Sequence, residues 1–156
     1  PNTYEAISIE PPPNLVLCVA MPEVEPPPKK TGVARSILPR YVNLGKVVQN
    51  TSMACWMVAS LMKGDVMGFG RAMQDIIVEP RRAKMIPGYS EVKRLALEAG
   101  AAGVVISGAG PTMLAVVDKS TSKPEAVAEA MRRGFESAGL ASHCFVTKSG
   151  KGASPI

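Results

Sequence analysis

The sequence is poor in the residues on which many functional sites depend. It contains one histidine, His143, and three dispersed cysteines with no CxxC pair, Cys18, Cys55 and Cys144. Zinc sites and Ser–His or Cys–His catalytic systems need such residues in clusters, so we expect no metal site and assign no catalytic residue. Each cysteine lies in an apolar stretch, which indicates buried thiols in a reducing compartment.

Long apolar runs and aromatic side chains are also scarce. No run approaches the roughly 20 apolar residues that cross a membrane, and no signal peptide opens the chain, so we expect a soluble, cytoplasmic protein without a membrane partner. The net charge of +5 is scattered, and only three Phe, three Tyr and one Trp are available to stack on bases. We therefore expect no nucleic-acid partner, and either a solvated basic surface or a site for an anionic substrate.

What is present fits one globular domain with a core. The 156 residues are 46% hydrophobic and 20% charged, which is the composition of a folded chain of this length. A triple proline at 11–13 breaks the pattern. We expect a lead-in over residues 1–13, a domain over 14–150 and a polar tail over 151–156.

The order of elements predicts the fold class. An apolar strand at 15–20 is followed by helices, a strand pair around 104–117, a helix to about 138 and a last strand at 144–147. This is βαββαβ with extra helices in the first crossover, which predicts an α+β, ferredoxin-like, four-stranded antiparallel sheet with helices on one face.

Several local patterns place the helices. Asn43 and Gly64 predict the two ends of a long helix, and its apolar stripe predicts packing against both the sheet and a neighbouring helix. Two serines, Ser90 and Ser122, are predicted to cap later helices. The segment 77–88, which precedes Ser90, is rich in charge and reads as a connecting loop. The stripe consists of Val47, Thr51, Ala54, Val58 and Leu61.

The most informative stretch is 103–118, in which a glycine-rich loop joins two apolar strands. The loop is Ser107-Gly108-Ala109-Gly110-Pro111-Thr112. It has no Lys after its last glycine and no helix after it, so it is neither a P-loop nor a dinucleotide fingerprint. Its glycines allow positive φ, and its amides can form an anion-binding concavity. From spacing alone, a plain hairpin turn is an equally good interpretation.

Three stretches carry a family resemblance. The loop at 107–112 resembles the third signature motif of the GHMP small-molecule kinases. The segment 31–39, TGVARSILP, is similar to T-x-x-A-R-x-x-L-P, and 78–82, VEPRR, followed by 86–88, IPG, is similar to E-P-x-R and I/L-P-G. Both of these patterns set the homoserine kinases apart within that superfamily. From Asn14 to the C-terminus, the chain resembles the second half of the homoserine kinases.

The resemblance implies roles for individual residues. Arg35 and Arg82 would bind the carboxylate of an amino-acid substrate, Thr31 would offer it a hydroxyl, and Gly108 would bring backbone close to it. Guanidinium groups suit this task because each presents two parallel N–H donors to a carboxylate. The neighbouring Arg81 stays an alternative to Arg82. The whole loop, Ser107 to Thr112, would line the active site.

The resemblance also implies a reaction: transfer of the γ-phosphoryl group of ATP, with Mg²⁺, to the hydroxyl of L-homoserine, on the route to threonine. The family's nucleotide loop, P-x-x-x-G-L-G-S-S, is absent from the sequence. We therefore expect a C-terminal domain presented without its N-terminal partner and inactive alone. Such a domain would expose an apolar docking face and could form a homodimer through it.

Two alternatives stay open at this point. The chain could belong to another GHMP kinase with a different hydroxylated substrate, although a sugar or an alcohol would not need the paired guanidinium groups of Arg35 and Arg82. It could instead be a free-standing ferredoxin-like module that binds a small anion or a protein, because this fold hosts many functions.

Overall fold

The computed structural model of the chain describes residues 7–25 and 30–150, with only the backbone of Lys30 and Thr31. The expected tail at 151–156, and residues 1–6 of the expected lead-in, lie outside the described residues. The domain boundaries themselves therefore stay predictions.

Within the described ranges, four strands and six helices follow one another in the predicted order, with a 3₁₀ turn at Ala83–Met85. The strands are β1 (Leu15–Pro22), β2 (Gly103–Ile106), β3 (Met113–Asp118) and β4 (Ser142–Thr147). The helices are α1 (Lys30–Ser36), α2 (Leu44–Lys63), α3 (Val66–Ala72), α4 (Glu79–Arg82), α5 (Tyr89–Glu98) and α6 (Pro124–Glu136).

The strands form one antiparallel sheet in the order β2-β3-β1-β4. Strand β1 pairs with β3 from Leu15↔Asp118 to Ala20↔Met113 and with β4 on its other side. The central strands are thus the first and the third in the chain, as the two interleaved βαβ units require. The predicted ferredoxin-like fold is confirmed.

Both faces of the sheet are apolar. Side chains alternate between the faces along each strand, and β1 and β3 are apolar at nearly every position. On one face, Cys18, Met113 and Ala115 pack in a core with Met131 and Phe135 of α6. On the other face, a second cluster joins β1, β3, α3 and the residues just after α3 and just before β2: Leu15, Val116, Val66, Met73 and Ala102. Helices therefore lie on both faces, whereas the sequence was interpreted as placing them on one.

Helix α2 has the predicted ends and part of the predicted packing. The side chain of Asn43 accepts a hydrogen bond from the N–H of Gly45 at 2.8 Å, and Gly64 ends the helix at φ 70°. Of its residues only Ser60 is buried, and Leu44, Val48 and Met62 are 76%, 58% and 72% exposed. An amphipathic pattern shows which face is apolar but not what covers it. Helix α2 packs beside α3, and its half-buried Met57 and Leu61 pack against the second cluster on the sheet. The expected packing on both the sheet and a neighbour is therefore confirmed for these residues, while Leu44, Val48 and Met62 remain exposed.

Two predicted N-caps, Ser90 and Ser122, are wrong because each helix begins at a different residue than expected. Helix α6 begins at Pro124, with Lys123 at the N-cap and no side-chain cap, because proline is well suited to the first helical position. Helix α5 begins at Tyr89 after Gly88, whose φ is 79°. Ser122 and Ser90 therefore cap neither helix.

The three cysteines differ in exposure. Cys18 is buried and Cys144 half-buried, but Cys55 is exposed, so the expectation of three buried thiols is wrong for Cys55.

In the ranges 7–25 and 30–150, no helix combines the length and the apolar composition needed to cross a membrane.

Candidate functional site

The loop between β2 and β3 is a tight turn with an exposed tip. The N–H of Ser107 donates to the Thr112 carbonyl at 2.8 Å, and the N–H of Gly110 donates to the Ser107 carbonyl at 3.0 Å. Residues 107–109 are exposed. The Gly110–Pro111 peptide is cis.

The two glycines of the loop have positive φ for different reasons. A Cβ on Gly110 would lie 2.9 Å from Cδ1 of Ile86 and 3.2 Å from Cγ2 of Ile106, whereas a Cβ on Gly108 would meet no atom within 4 Å. Their φ angles are 78° and 58°. Gly110 is therefore required by packing, while Gly108 turns its free side toward open space that a ligand can enter.

Arg82 is the charged side chain that contacts this loop. It lies at the end of α4, and its Nη1 donates to the carbonyl of Gly108 at 2.9 Å. Its Nε is buried and has no hydrogen-bond partner among the described residues. The structure thus brings together Arg82 and Gly108, two of the residues that the sequence singled out, and leaves guanidinium donors available beside the open side of the loop.

Arg81, the alternative to Arg82, faces a different region. It lines a small cavity of about 110 Å³ with Tyr41, Lys46 and Ile77. Consecutive residues of a helix point about 100° apart, so only one of this pair can meet the loop. The geometry favours Arg82.

The other two candidates are not joined to this pair. Arg35 lies in α1 and is exposed, and its side chain makes no hydrogen bond or ion pair with the described residues. Thr31 is the second residue of the same helix, but its side chain lies outside the described residues. The roles of both therefore stay predictions.

The segment before α4 is held by Asp75, which the sequence interpretation missed. Its carboxylate accepts from the backbone N–H groups of Ile77 and Val78 at 2.8 and 2.9 Å and from the Asn50 amide of α2 at 3.1 Å. Burial raises the pKa of Asp75, but the hydrogen bonds from Val78, Asn50 and Ile77 outweigh it and leave the pKa below its ordinary value. A local signal existed, because an Asp side chain commonly bonds the backbone two residues further on and so forms a turn.

A second anchor holds α4 from the side of α5. Glu79 is 7% exposed, and its carboxylate accepts from the hydroxyl of Tyr89 and from Nζ of Lys93, the latter at 2.6 Å. Lys93 also donates to the Tyr89 oxygen at 3.1 Å. Glu79 belongs to the E-P-x-R motif, but nothing in the motif reveals these partners.

The tip of the turn in the candidate site is exposed. Two larger cavities, of about 520 and 530 Å³, flank the segment that carries Asp75 and Glu79. Neither is lined by Arg82 or Gly108. His143 lies on β4, the edge strand farthest from β2, and pairs with Glu23 at 3.0 Å, so it is not placed to act at the loop.

Asp75 gives a prediction for stability against pH. Because its folded pKa lies below the ordinary value of 3.8, the unfolded chain takes up the proton first as the pH falls. The stabilisation is complete above about pH 4 and is lost as the pH falls through the folded pKa. We expect Asp75→Asn to lower the free energy of unfolding by about 1 kcal/mol at pH 7 and by progressively less below pH 4, measured by denaturant unfolding.

Asp118 provides the matched control for this prediction. It is 8% exposed, and hydrogen bonds from Ser120 and Asn14 outweigh its burial and lower its pKa too. Asp118→Asn should show the same trend with pH, but only Asp75→Asn should speed amide exchange at Ile77 and Val78. Equal loss of stability at pH 3 and pH 7 in Asp75→Asn would contradict the assignment.

Comparisons with known proteins agree with this architecture. Residues 57–137 match the family described as "GHMP kinases C terminal". The chain is 43% identical over 144 residues to a homoserine kinase of Methanocella arvoryzae, covering 92% of this chain and 46% of that protein. A homoserine kinase of Pyrobaculum aerophilum is 38% identical over 141 residues, covering 90% and 47%.

A solved structure gives the same picture. The crystal structure of homoserine kinase from Cytophaga hutchinsonii superposes with a TM-score of 0.84 and 36% identity, covering 91% of this chain and 44% of that one. The chain thus spans about half the length of the curated relatives it matches.

Proposed function

The chain belongs to the GHMP kinase C-terminal family, and on that premise we propose that it is the substrate-binding part of a homoserine kinase. In this proposal the complete enzyme transfers the γ-phosphoryl group of ATP to the hydroxyl of L-homoserine and forms O-phospho-L-homoserine, in the cytoplasm, for threonine biosynthesis. The observation that carries the proposal is the contact between Arg82 and the Gly108 carbonyl at the open turn of the third motif.

The proposed task of this contact is to bind the substrate carboxylate. Hydrogen bonding to the Gly108 carbonyl fixes the plane of the Arg82 guanidinium, and the donors not used by that bond can meet a carboxylate. Gly108 leaves the space beside them open. Arg35, with Thr31, would approach the same carboxylate from α1, which would fix the direction of the substrate hydroxyl.

The described residues do not identify a binding site for ATP or for Mg²⁺. The kinase family implies the use of ATP, but the family's nucleotide loop is absent from this sequence. No group of three or more His, Cys, Asp or Glu side chains within the described ranges could hold a metal ion. Mg²⁺ is usually held by one or two carboxylates together with substrate phosphates, so the described residues identify no Mg²⁺ ligand and we derive no step through the metal.

The proposal includes a partner for the exposed apolar surface. Leu44, Val48 and Met62 of α2 are largely exposed, and a patch of this kind is typical of a docking surface. In the proposal, the other half of the enzyme covers part of it, and a second copy of the chain is the alternative occupant.

The deciding experiment is a substrate comparison with the purified protein that contains this chain. We expect ATP-dependent phosphorylation of L-homoserine, measured by release of ADP and by ³¹P NMR of the product. 3-Aminopropan-1-ol keeps the amine and the hydroxyl but has no carboxylate, so it should be a much poorer substrate. Equal use of both, or a preference for a sugar or mevalonate, would contradict the proposed role of the arginines and favour another GHMP kinase.

A further inference from the structure

The single helical turn that carries Arg82 has little means of holding its own orientation. Helix α4 contains four residues, and its N-cap residue Val78 makes no side-chain cap; the Asp75 carboxylate accepts from the N–H groups of Val78 and Glu79 and so holds only the start of the turn. One turn of helix is unstable in isolation because its first hydrogen bonds do not offset the cost of fixing the backbone. The orientation of Arg82 must therefore come from contacts that α4 makes with the rest of the domain.

Glu79 provides the contact that fixes the rotation of this turn. It is the first residue of α4, and Arg82 is three positions later, so the two side chains lie on neighbouring positions of one helical face. The buried Glu79 carboxylate is bound by Tyr89 and Lys93, both on α5. Helix α5 is itself packed tightly, since Val92 is fully buried and contacts Gly134 of α6.

From this geometry we propose that Tyr89 and Lys93 are positioning residues, which act through Glu79 to hold α4 where Arg82 meets the Gly108 carbonyl. The inference rests on the proposed function in one respect, namely that Arg82 binds a carboxylate. It adds two residues, on a helix outside all three family motifs, to the machinery that sets substrate affinity.

The chemistry of the network agrees with a fixed structural link. Burial, then the hydrogen bond to Glu79 and its charge, raise the pKa of Tyr89 far above its ordinary value, so the hydroxyl keeps its proton and remains a donor at neutral pH. Lys93 lies four residues from Tyr89 on the same face of α5, but a tyrosine that keeps its proton at neutral pH cannot serve as a general base.

A purely stabilising role would predict a different outcome. A buried ion pair contributes little net stability, because desolvation offsets most of the attraction between the charges. Its better-attested effect is to select one arrangement among several. Removing Lys93 alone leaves the buried Glu79 charge unpaired, so stability should fall as well. The readout that separates a positioning role from a purely stabilising one is therefore the position of Arg82, not the free energy of unfolding.

The test is carried out first on this chain by NMR of arginine side chains. The Arg82 Nε atom is buried, so its N–H should exchange slowly with water. In Tyr89→Phe and Lys93→Met, we expect exchange of this proton to accelerate by roughly ten-fold or more, as loss of a charged hydrogen bond allows. Lys93→Arg, which keeps the charge and several donors, should restore slow exchange in part.

Arg94→Met is the matched control. It removes one positive charge from the adjacent position of α5, where Arg94 is 52% exposed and paired with Glu91 and Glu98. The Arg82 signal should be unchanged in this variant. An unchanged Arg82 signal in Tyr89→Phe, which removes only one hydroxyl oxygen, would overturn the proposal.

The second measurement uses the complete enzyme. Tyr89→Phe and Lys93→Met should raise the KM for L-homoserine by roughly five-fold or more, since small displacements of positioning groups weaken binding strongly, while the KM for ATP stays constant. Loss of thermal stability with an unchanged KM for L-homoserine would overturn the positioning role. If the wild-type enzyme does not use L-homoserine, the proposed function fails, and the NMR result still decides the positioning role on its own.

Discussion

Arg82→Ala should raise the KM for L-homoserine by about ten-fold or more in the complete enzyme, because a hydrogen bond to a charged group is worth about 1.5–3 kcal/mol and 1.4 kcal/mol corresponds to ten-fold. The carboxylate is present in both the ground state and the transition state, so most of the loss should appear in KM rather than in kcat. Steady-state kinetics with varied L-homoserine at saturating ATP measures the effect.

The adjacent arginine makes this experiment unusually well controlled. Arg81→Ala removes the same charge from the same turn, but Arg81 lines the cavity beside Lys46 instead of contacting the loop. Its KM for L-homoserine should stay within about two-fold of the wild type, as expected for a surface charge. A larger effect for Arg81→Ala than for Arg82→Ala would reverse the assignment.

A third variant separates charge from geometry. Arg82→Lys keeps the positive charge but loses the planar fork of donors that can serve the Gly108 carbonyl and a carboxylate together. We expect the KM of Arg82→Lys for L-homoserine to lie between those of the wild type and Arg82→Ala.

Arg35→Ala should also raise the KM for L-homoserine by about ten-fold. An unchanged KM in both alanine variants would count against carboxylate binding by the two arginines.

The sequence predicts local features of this protein better than long-range ones. Both ends of α2 follow from Asn43 and Gly64, because capping depends on residues a few positions apart. The exposure of α2 does not follow, since the pattern carries no information on what covers an apolar face. The strand order could be predicted because two βαβ units allow few topologies.

The candidate site divides in the same way. The resemblance to the family identified Arg82 and Gly108, and the structure shows them in contact. The residues that support Arg82 could not be found in this manner. Tyr89 and Lys93 follow Glu79 by 10 and 14 positions, and only the packing of α5 against the rest of the domain brings them to its carboxylate.

The largest effect on stability should come from a contact that no sequence pattern indicated, between Gly103 at the start of β2 and Gly70 in α3. A Cβ on Gly103 would lie 2.1 Å from the Gly70 carbonyl oxygen, and a Cβ on Gly70 would lie 2.3 Å from the carbonyl carbon of Ala102. These are backbone atoms, which cannot rotate away as a flexible side chain can. Any side chain at either position must push α3 away from the sheet.

We therefore expect Gly103→Ala to lower the free energy of unfolding by about 3 kcal/mol, at the upper end of the usual range for overpacking. Denaturant unfolding measures this. Gly139→Ala is the control, because Gly139 has a φ of 74° but a Cβ there would meet nothing within 4 Å, so only the left-handed backbone should cost about 1 kcal/mol.

The double variant tests the mechanism. If both single substitutions force the same two backbones apart, Gly70→Ala with Gly103→Ala should lose clearly less stability than the sum of the single losses, by about 1 kcal/mol or more. Additive losses would mean that the two glycines act independently. If Gly103→Ala is as stable as Gly139→Ala or more stable, α3 can shift freely. In that case α3 could not hold the segment that leads through Asp75 to Arg82.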